Sequence, residues 1–84
     1  MEKPLVYTQH ALTVMLERKL ERHWVEEAVR RPAWREPDAG DPAILRCFKS
    51  IPERANRYLR VVCVETDDEI RIISAFLDRS ARPR

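Results

Sequence analysis

The stretch Tyr58–Leu77, YLRVVCVETDDEIRIISAFL, decides the fold. Two apolar runs rich in valine and isoleucine flank a polar TDDE break. β-Branched residues on both sides of such a break mark paired strands. The stretch predicts a β-hairpin that pairs with one more strand, Ile44–Ile51, and carries two helices on one face.

Working upstream, PLVYT at 4–8 reads as a short edge strand, since proline is tolerated at a strand's first position. Thr8 is placed to cap a helix from Gln9 to Leu20, with Ala11, Leu12, Met15, Leu16 and Leu20 as its apolar stripe. A second helix, Arg22 to Arg31, carries Trp24, Val25, Ala28 and Val29, and Pro32 stops it. Residues 32–43 read as one long loop pinned by Trp34, and 52–57 as a turn. The tail 79–84 is expected to fray. The expected architecture is α+β in the order β-α-α-β-β-β, two N-terminal helices on a small antiparallel sheet. One domain over 1–84 is expected, because so short a chain builds about one helix layer on one sheet.

Placing Ile51 opposite Tyr58 sorts the strands by alternation. One face then gathers Arg46, Phe48, Leu59, Val61, Cys63, Ile72 and Phe76. It is the bulkier face and is assigned the helices. The other gathers Cys47, Lys49, Ile51, Tyr58, Arg60, Val62, Ala75 and Leu77. In this register Lys49 lies directly opposite Arg60. Two cations so placed repel unless something negative, Asp78 or a phosphate, sits between them.

A net charge of +2 does not by itself argue for nucleic acid, yet its distribution is uneven. Residues 1–42 hold 7 basic and 8 acidic side chains, residues 43–84 hold 9 and 6, and arginine supplies all the latter basic residues except Lys49. Arginine suits planar contacts to phosphate or carboxylate. The alternative is an ordinary solvated, salt-bridged surface. Cys47 and Cys63 both fall in strand-like runs, which suits buried free thiols in a reducing cytoplasm better than a disulfide. The first fifteen residues lack the pattern of a signal peptide, and no apolar run approaches the ~20 residues of a membrane span, so a cytoplasmic protein with no membrane partner is expected.

Motif absences exclude more than motif presences suggest. The chain has no GxGxxG, no phosphate loop, no HExxH, no CxxC and no GxSxG, so the motif-recognisable nucleotide-binding and hydrolase classes are out. No cofactor is implied. His10, His23, Cys47 and Cys63 lack the paired spacing of a zinc site, and no metal is expected. His10, at a helix start among charged neighbours, is the acid–base candidate by residue type. A structural role, bonded to backbone or Glu17, is its alternative. Arg46, Lys49 and Arg60 are candidates to hold an RNA phosphate and stabilise charge during 2′-hydroxyl attack. Their alternative is to pair with Glu53, Glu65 or Asp78.

The segment YTQHALTVMLERKLERHWVEEAVRRP, followed by RCFKSIP, YLRVV and IRIISAFLDR, resembles a bacterial family of unknown function, the DUF-type family 4258. His10, Ala11, Met15, Glu17, Arg18 and Pro32 match its opening, and the likeness covers nearly the whole chain. Lys19 stands where glycine is common in the family, and Ser74 where threonine is usual. The ending RIISA is also similar to BrnT, a toxin of the RelE-like ribonuclease group made with an antitoxin partner. That likeness implies helices packed on a small antiparallel sheet, with basic residues acting on its open face. It raises Lys49 and Arg60 as catalytic candidates, lowers His10, and adds Tyr58 for proton transfer. Arg71 and Arg79 join as RNA-contacting candidates. The resemblance implies a metal-independent, RNA-cleaving or RNA-binding protein. The rival expectation is a non-enzymatic module whose Ile51, Tyr58, Val62 and Leu77 bind an antitoxin-like partner or a second copy of the chain.

Overall fold

The structure is a computed structural model that describes residues 2–83. It is α+β. Strand β1 (Leu5–Tyr7) leads into helices α1 (Gln9–Glu17) and α2 (Arg22–Arg30), followed by β2 (Trp34–Pro37), β3 (Leu45–Ile51), a 3₁₀ turn (Pro52–Arg54), β4 (Arg57–Glu65) and β5 (Ile70–Asp78). The strands form one sheet in the order β1-β5-β4-β3-β2. All neighbours are antiparallel except β1, which runs parallel to β5. Two details differ from the expected sheet: the first strand is parallel, and the supposed loop contains a strand. In β2 alternate residues Trp34 and Glu36 point to one face, and Pro37 is accommodated because the strand is at the sheet's edge.

The helices begin and end for local reasons. Thr8 is extended, and its Oγ1 accepts from Ala11 N at 3.1 Å, capping α1. Lys19 ends the helix at φ 55, with Lys19 N donating to Leu16 O at 3.3 Å and Leu20 N to Met15 O at 2.8 Å. This double bond around a left-handed residue is a Schellman motif, which explains why glycine is favoured there. Helix α1 lies over β5, and α2 over β3 and β4. Their apolar sides meet one face of the sheet at Cys47, Ile51, Leu59, Val61, Cys63, Ile72 and Ala75, all buried.

Two irregularities settle which residues that face contains. Between β3 and β4 the chain turns through Ala55 and Asn56, both at positive φ (56 and 59), and Asn56 N donates to Ile51 O at 3.0 Å. The turn is one residue tighter than counted from sequence, so Ile51 faces Arg57 rather than Tyr58. A one-residue slip reverses every side chain of a strand. Leu45, Cys47 and Ile51 therefore pack under the helices, while Arg46 and Phe48 turn to the open face. In β5 a bulge skips Ile73: Val62 pairs with Ser74, but Cys63 pairs with Ile72. This brings Ala75 and Leu77 to the helix side and Phe76 to the open side. The expected positions of Leu59, Val61, Cys63 and Ile72 under the helices hold; those of Arg46, Phe48, Phe76, Cys47, Lys49, Ile51, Ala75 and Leu77 are reversed.

Cys47 and Cys63 are free and buried, with their sulfurs 4.0 Å apart. The bond to Cys47 and burial together push the Cys63 thiol well up, so it stays protonated. No helix among the described residues is long and apolar enough to cross a membrane.

Candidate functional site

The open face of the sheet carries an aromatic row. Trp34 of β2 pairs with Phe48 of β3, Phe48 with Arg60 of β4, and Arg60 with Phe76 of β5. Cross-strand partners on one face stand close enough to touch. Trp34 and Phe48 stack, with ring centroids 4.6 Å apart and planes 10° apart. Tyr58, on the same face, meets Trp34 edge-on at 5.1 Å. Arg60 leans the other way, its guanidinium carbon 4.4 Å from the centroid of Phe76.

That lean opens a cleft of about 340 Å³ bordered by Trp34, Phe48, Arg46, Arg60, Asp78 and Arg82. Asp78 fixes Arg60 through an ion pair at 3.4 Å, yet Arg60 Nε is buried without a hydrogen-bond acceptor among the described residues. Burial pushes the Asp78 carboxyl up, but the Ser80 hydroxyl and N–H and the nearby Arg60 outweigh it, and the net direction is down. Ser80 N and Oγ donate to Asp78 Oδ1 at 2.9 and 2.7 Å. They turn the chain back over the face, where Ala81 is buried and Arg82 Nη1 donates to Ala81 O at 2.9 Å. Of residues 79–83, part of the stretch expected to fray, Ala81 is buried and Arg79, Ser80, Arg82 and Pro83 are exposed; Arg84 lies outside the described residues.

Arg46 is held differently. Its Nε and Nη2 donate to Asp38 Oδ1 at 3.1 and 2.9 Å, and Nη1 lies 3.7 Å from Glu36. The hydrogen bonds from Arg46 hold the Asp38 carboxyl below its usual range.

The structure gathers three of the sequence candidates and separates the rest. Arg46, Arg60 and Tyr58 share the open face. Lys49 does not: it pairs with Leu59, on the opposite face, and its Nζ donates to Arg31 O at 2.7 Å. The expected apposition of Lys49 and Arg60 is therefore corrected, because the tight turn after Ile51 reverses β3. His10 is exposed on α1, in the layer behind the sheet, and makes no bond to Glu17. Arg71 lies on the open face but at the far end of β5, paired with Glu69 at 3.1 Å. Arg79 borders a second cleft, of about 470 Å³, shared with Tyr58 and Arg82. Asp78, named in the sequence as a carboxylate able to sit between cations, does hold Arg60. Trp34, Phe48 and Phe76 were not recognised as site residues. Their signal was aromatic residues on strands, which suits a core equally well until the register is known.

Residues 7–77 match the family described as "Domain of unknown function (DUF4258)", and the chain belongs to it. No curated protein and no solved structure shows a significant match to the chain.

Proposed function

We propose that this chain is a toxin-like, cytoplasmic protein that binds single-stranded RNA on the helix-free face of its sheet. One observation carries the reading. Arg60, with a side chain 23% exposed, stands in the middle of an aromatic face, its guanidinium on Phe76 at 4.4 Å and beside Asp78 at 3.4 Å. Aromatic rings beside an arginine are how unpaired RNA is commonly held, by stacking and by guanidinium contacts. The resemblance of RIISA to BrnT, read from the sequence, implies basic residues acting on the same face.

Metal-independent cleavage is the stronger form of this reading. Arg46 and Arg60 would stabilise charge on the phosphoryl oxygens as the 2′-oxygen attacks and the bond to the 5′-oxygen breaks, with the Tyr58 hydroxyl giving its proton to the departing 5′-oxygen and regaining one from the 2′-hydroxyl through water. It has less support than binding, since Lys49 and His10 lie off this face. Both forms are tested by mixing purified protein with labelled single-stranded RNA in a chelator. A shift in anisotropy supports binding, and a 2′,3′-cyclic phosphate product supports cleavage. RNA that neither binds nor breaks at low salt removes the proposal.

A second reading, an interaction module for an antitoxin-like protein or a second copy, draws on α1. Leu16 is 82% exposed and Leu12 36%, beside a groove of about 560 Å³. Of the apolar residues expected to form such a surface, Ile51 and Leu77 pack under the helices, so the surface would be α1 and not the sheet. Light scattering separates the readings: a dimer lost in Leu16→Glu and indifferent to RNA favours the module.

A further inference from the structure

Two clefts meet at Asp78, and they differ in how their arginines are occupied. In the cleft at Arg60 the central arginines already face carboxylates: Arg46 has Asp38 at 2.9 Å, and Arg60 has Asp78 at 3.4 Å. In the neighbouring cleft, of about 470 Å³, Arg57, Arg79 and Arg82 form no ion pair with any described carboxylate. Asp78 is the one carboxylate bordering it, and that group is spent. Its Oδ1 accepts from Ser80 N and Oγ at 2.9 and 2.7 Å, and its Oδ2 faces Arg60. The charge of Asp78 is balanced by Arg60, outside this cleft, so three positive charges stand there uncompensated.

The three arginines come from two turns that the chain holds in place. Arg57 follows the tight turn at Ala55 and Asn56, where Asn56 N donates to Ile51 O at 3.0 Å. Arg79 and Arg82 sit on the turn that Ser80 ties to Asp78 and that buried Ala81 anchors. Arg82 Nη1 donates to the carbonyls of Arg79 and Ala81 at 3.0 and 2.9 Å. Those bonds hold its guanidinium over the turn and leave Nε and Nη2 without a described acceptor. Tyr58, paired across the strands with Asp78, borders the cleft and also meets Trp34 edge-on at 5.1 Å.

We propose that this cleft binds a phosphomonoester, the terminal phosphate of an RNA strand. The inference rests on the RNA-binding reading and deepens it: the aromatic face holds unpaired bases, and the arginine cleft beside Tyr58 holds the strand's end. Guanidinium forks match phosphate oxygens two at a time. A monoester carries about −1.5 to −2 charge at neutral pH and a diester a single one, so the monoester gains more from free cations. The cleft's volume lies within the range of small-ligand sites and admits the terminal sugar along with the phosphate.

The test uses the full chain and fluorescence anisotropy with three internally labelled oligouridines of about ten nucleotides, one carrying a 5′-phosphate, one a 3′-phosphate and one neither. Uridine monophosphate and inorganic phosphate are titrated separately by calorimetry. At about 50 mM salt at least one phosphorylated strand is expected to bind about tenfold more tightly than the unphosphorylated one. Raising the salt to about 200 mM should cut that advantage severalfold, because the extra charge releases extra counterions. In the double variant Arg57→Gln, Arg79→Gln, at two exposed positions and checked for folding by circular dichroism, the preference should disappear. Equal affinity for all three strands overturns the phosphate site while leaving RNA binding intact. An unchanged preference in the double variant also overturns the site. Uridine monophosphate or inorganic phosphate bound without affinity for any strand keeps the site and overturns the RNA reading. No affinity for any probe overturns both.

Discussion

The guanidinium of Arg60 rests on Phe76, its partner across β4 and β5, at 4.4 Å, and is tethered from one side by Asp78 at 3.4 Å. The contact turns Arg60 away from Phe48 and leaves the cleft between them. A cation fixed on a ring and tethered by a carboxylate is prepared to bind, because little side-chain freedom remains to be lost.

Arg60 and Lys49 should therefore behave differently towards RNA, despite their closeness in sequence. Arg60→Ala is expected to weaken single-stranded RNA binding at least about tenfold, whereas Lys49→Ala, on the far face, changes it less than about twofold. Anisotropy titration of the two variants checks this. Equal losses would mean that the faces do not divide the work.

Core and surface leucines should divide just as sharply in stability. Leu59 is fully buried between the sheet and the helices, so Leu59→Ala is expected to cost about 2–5 kcal/mol. Leu16→Ala, at 82% exposure, should stay within about 0.5 kcal/mol. Urea denaturation measures both.

Lys19 ends α1 in a left-handed conformation at φ 55, which costs a residue with a Cβ more than it costs glycine. Lys19→Gly should stabilise the chain by about 0.5–1 kcal/mol, provided the Schellman bonds persist. A lower melting temperature in this variant would show that the lysine side chain has a compensating role.

Asp78 makes stability depend on acid. Its folded pKa lies below the unfolded value of about 3.9, so its contribution is complete above that pH and is lost as pH falls through the folded pKa. Asp78→Asn should be less stable than the parent at neutral pH, and the difference should shrink below about pH 4. Asp38 and Glu65, depressed through Arg46 and Lys3, keep part of the acid sensitivity in the variant. Denaturation midpoints between neutral pH and about pH 3 test the sign; a constant difference would place the Asp78 contribution elsewhere.

Both helices and strands β1, β3, β4 and β5 were legible in the sequence; strand β2, inside the proline-punctuated stretch 32–43, and the way the strands face were not. Thr8, Pro32 and the apolar spacing of Ala11, Met15, Trp24, Val25 and Ala28 mark both helices, because caps and periodicity act within one element. The Tyr58–Leu77 hairpin was equally plain. The open face was not, since alternation in β3 depends on the loop before Arg57, where Ala55 and Asn56 both adopt positive φ without a glycine to announce it. The Ile73 bulge is likewise silent; it becomes understandable only once Thr8 is seen bonding to Ile72 O and Ile73 O at 3.1 and 3.3 Å. Arg46, Arg60 and Tyr58 could be named as candidates from residue type. That Trp34, Phe48 and Phe76 share their face required the register.

The most direct measurement is a titration of isotope-labelled protein with single-stranded oligouridine, followed by amide and indole NMR shifts. The expected result is a set of changes centred on Trp34, Phe48, Tyr58 and Arg60, with Leu12, Leu16 and Lys49 unmoved. Changes confined to α1, or none at RNA concentrations well above that of the protein, would contradict the assignment of the sheet's open face as an RNA surface.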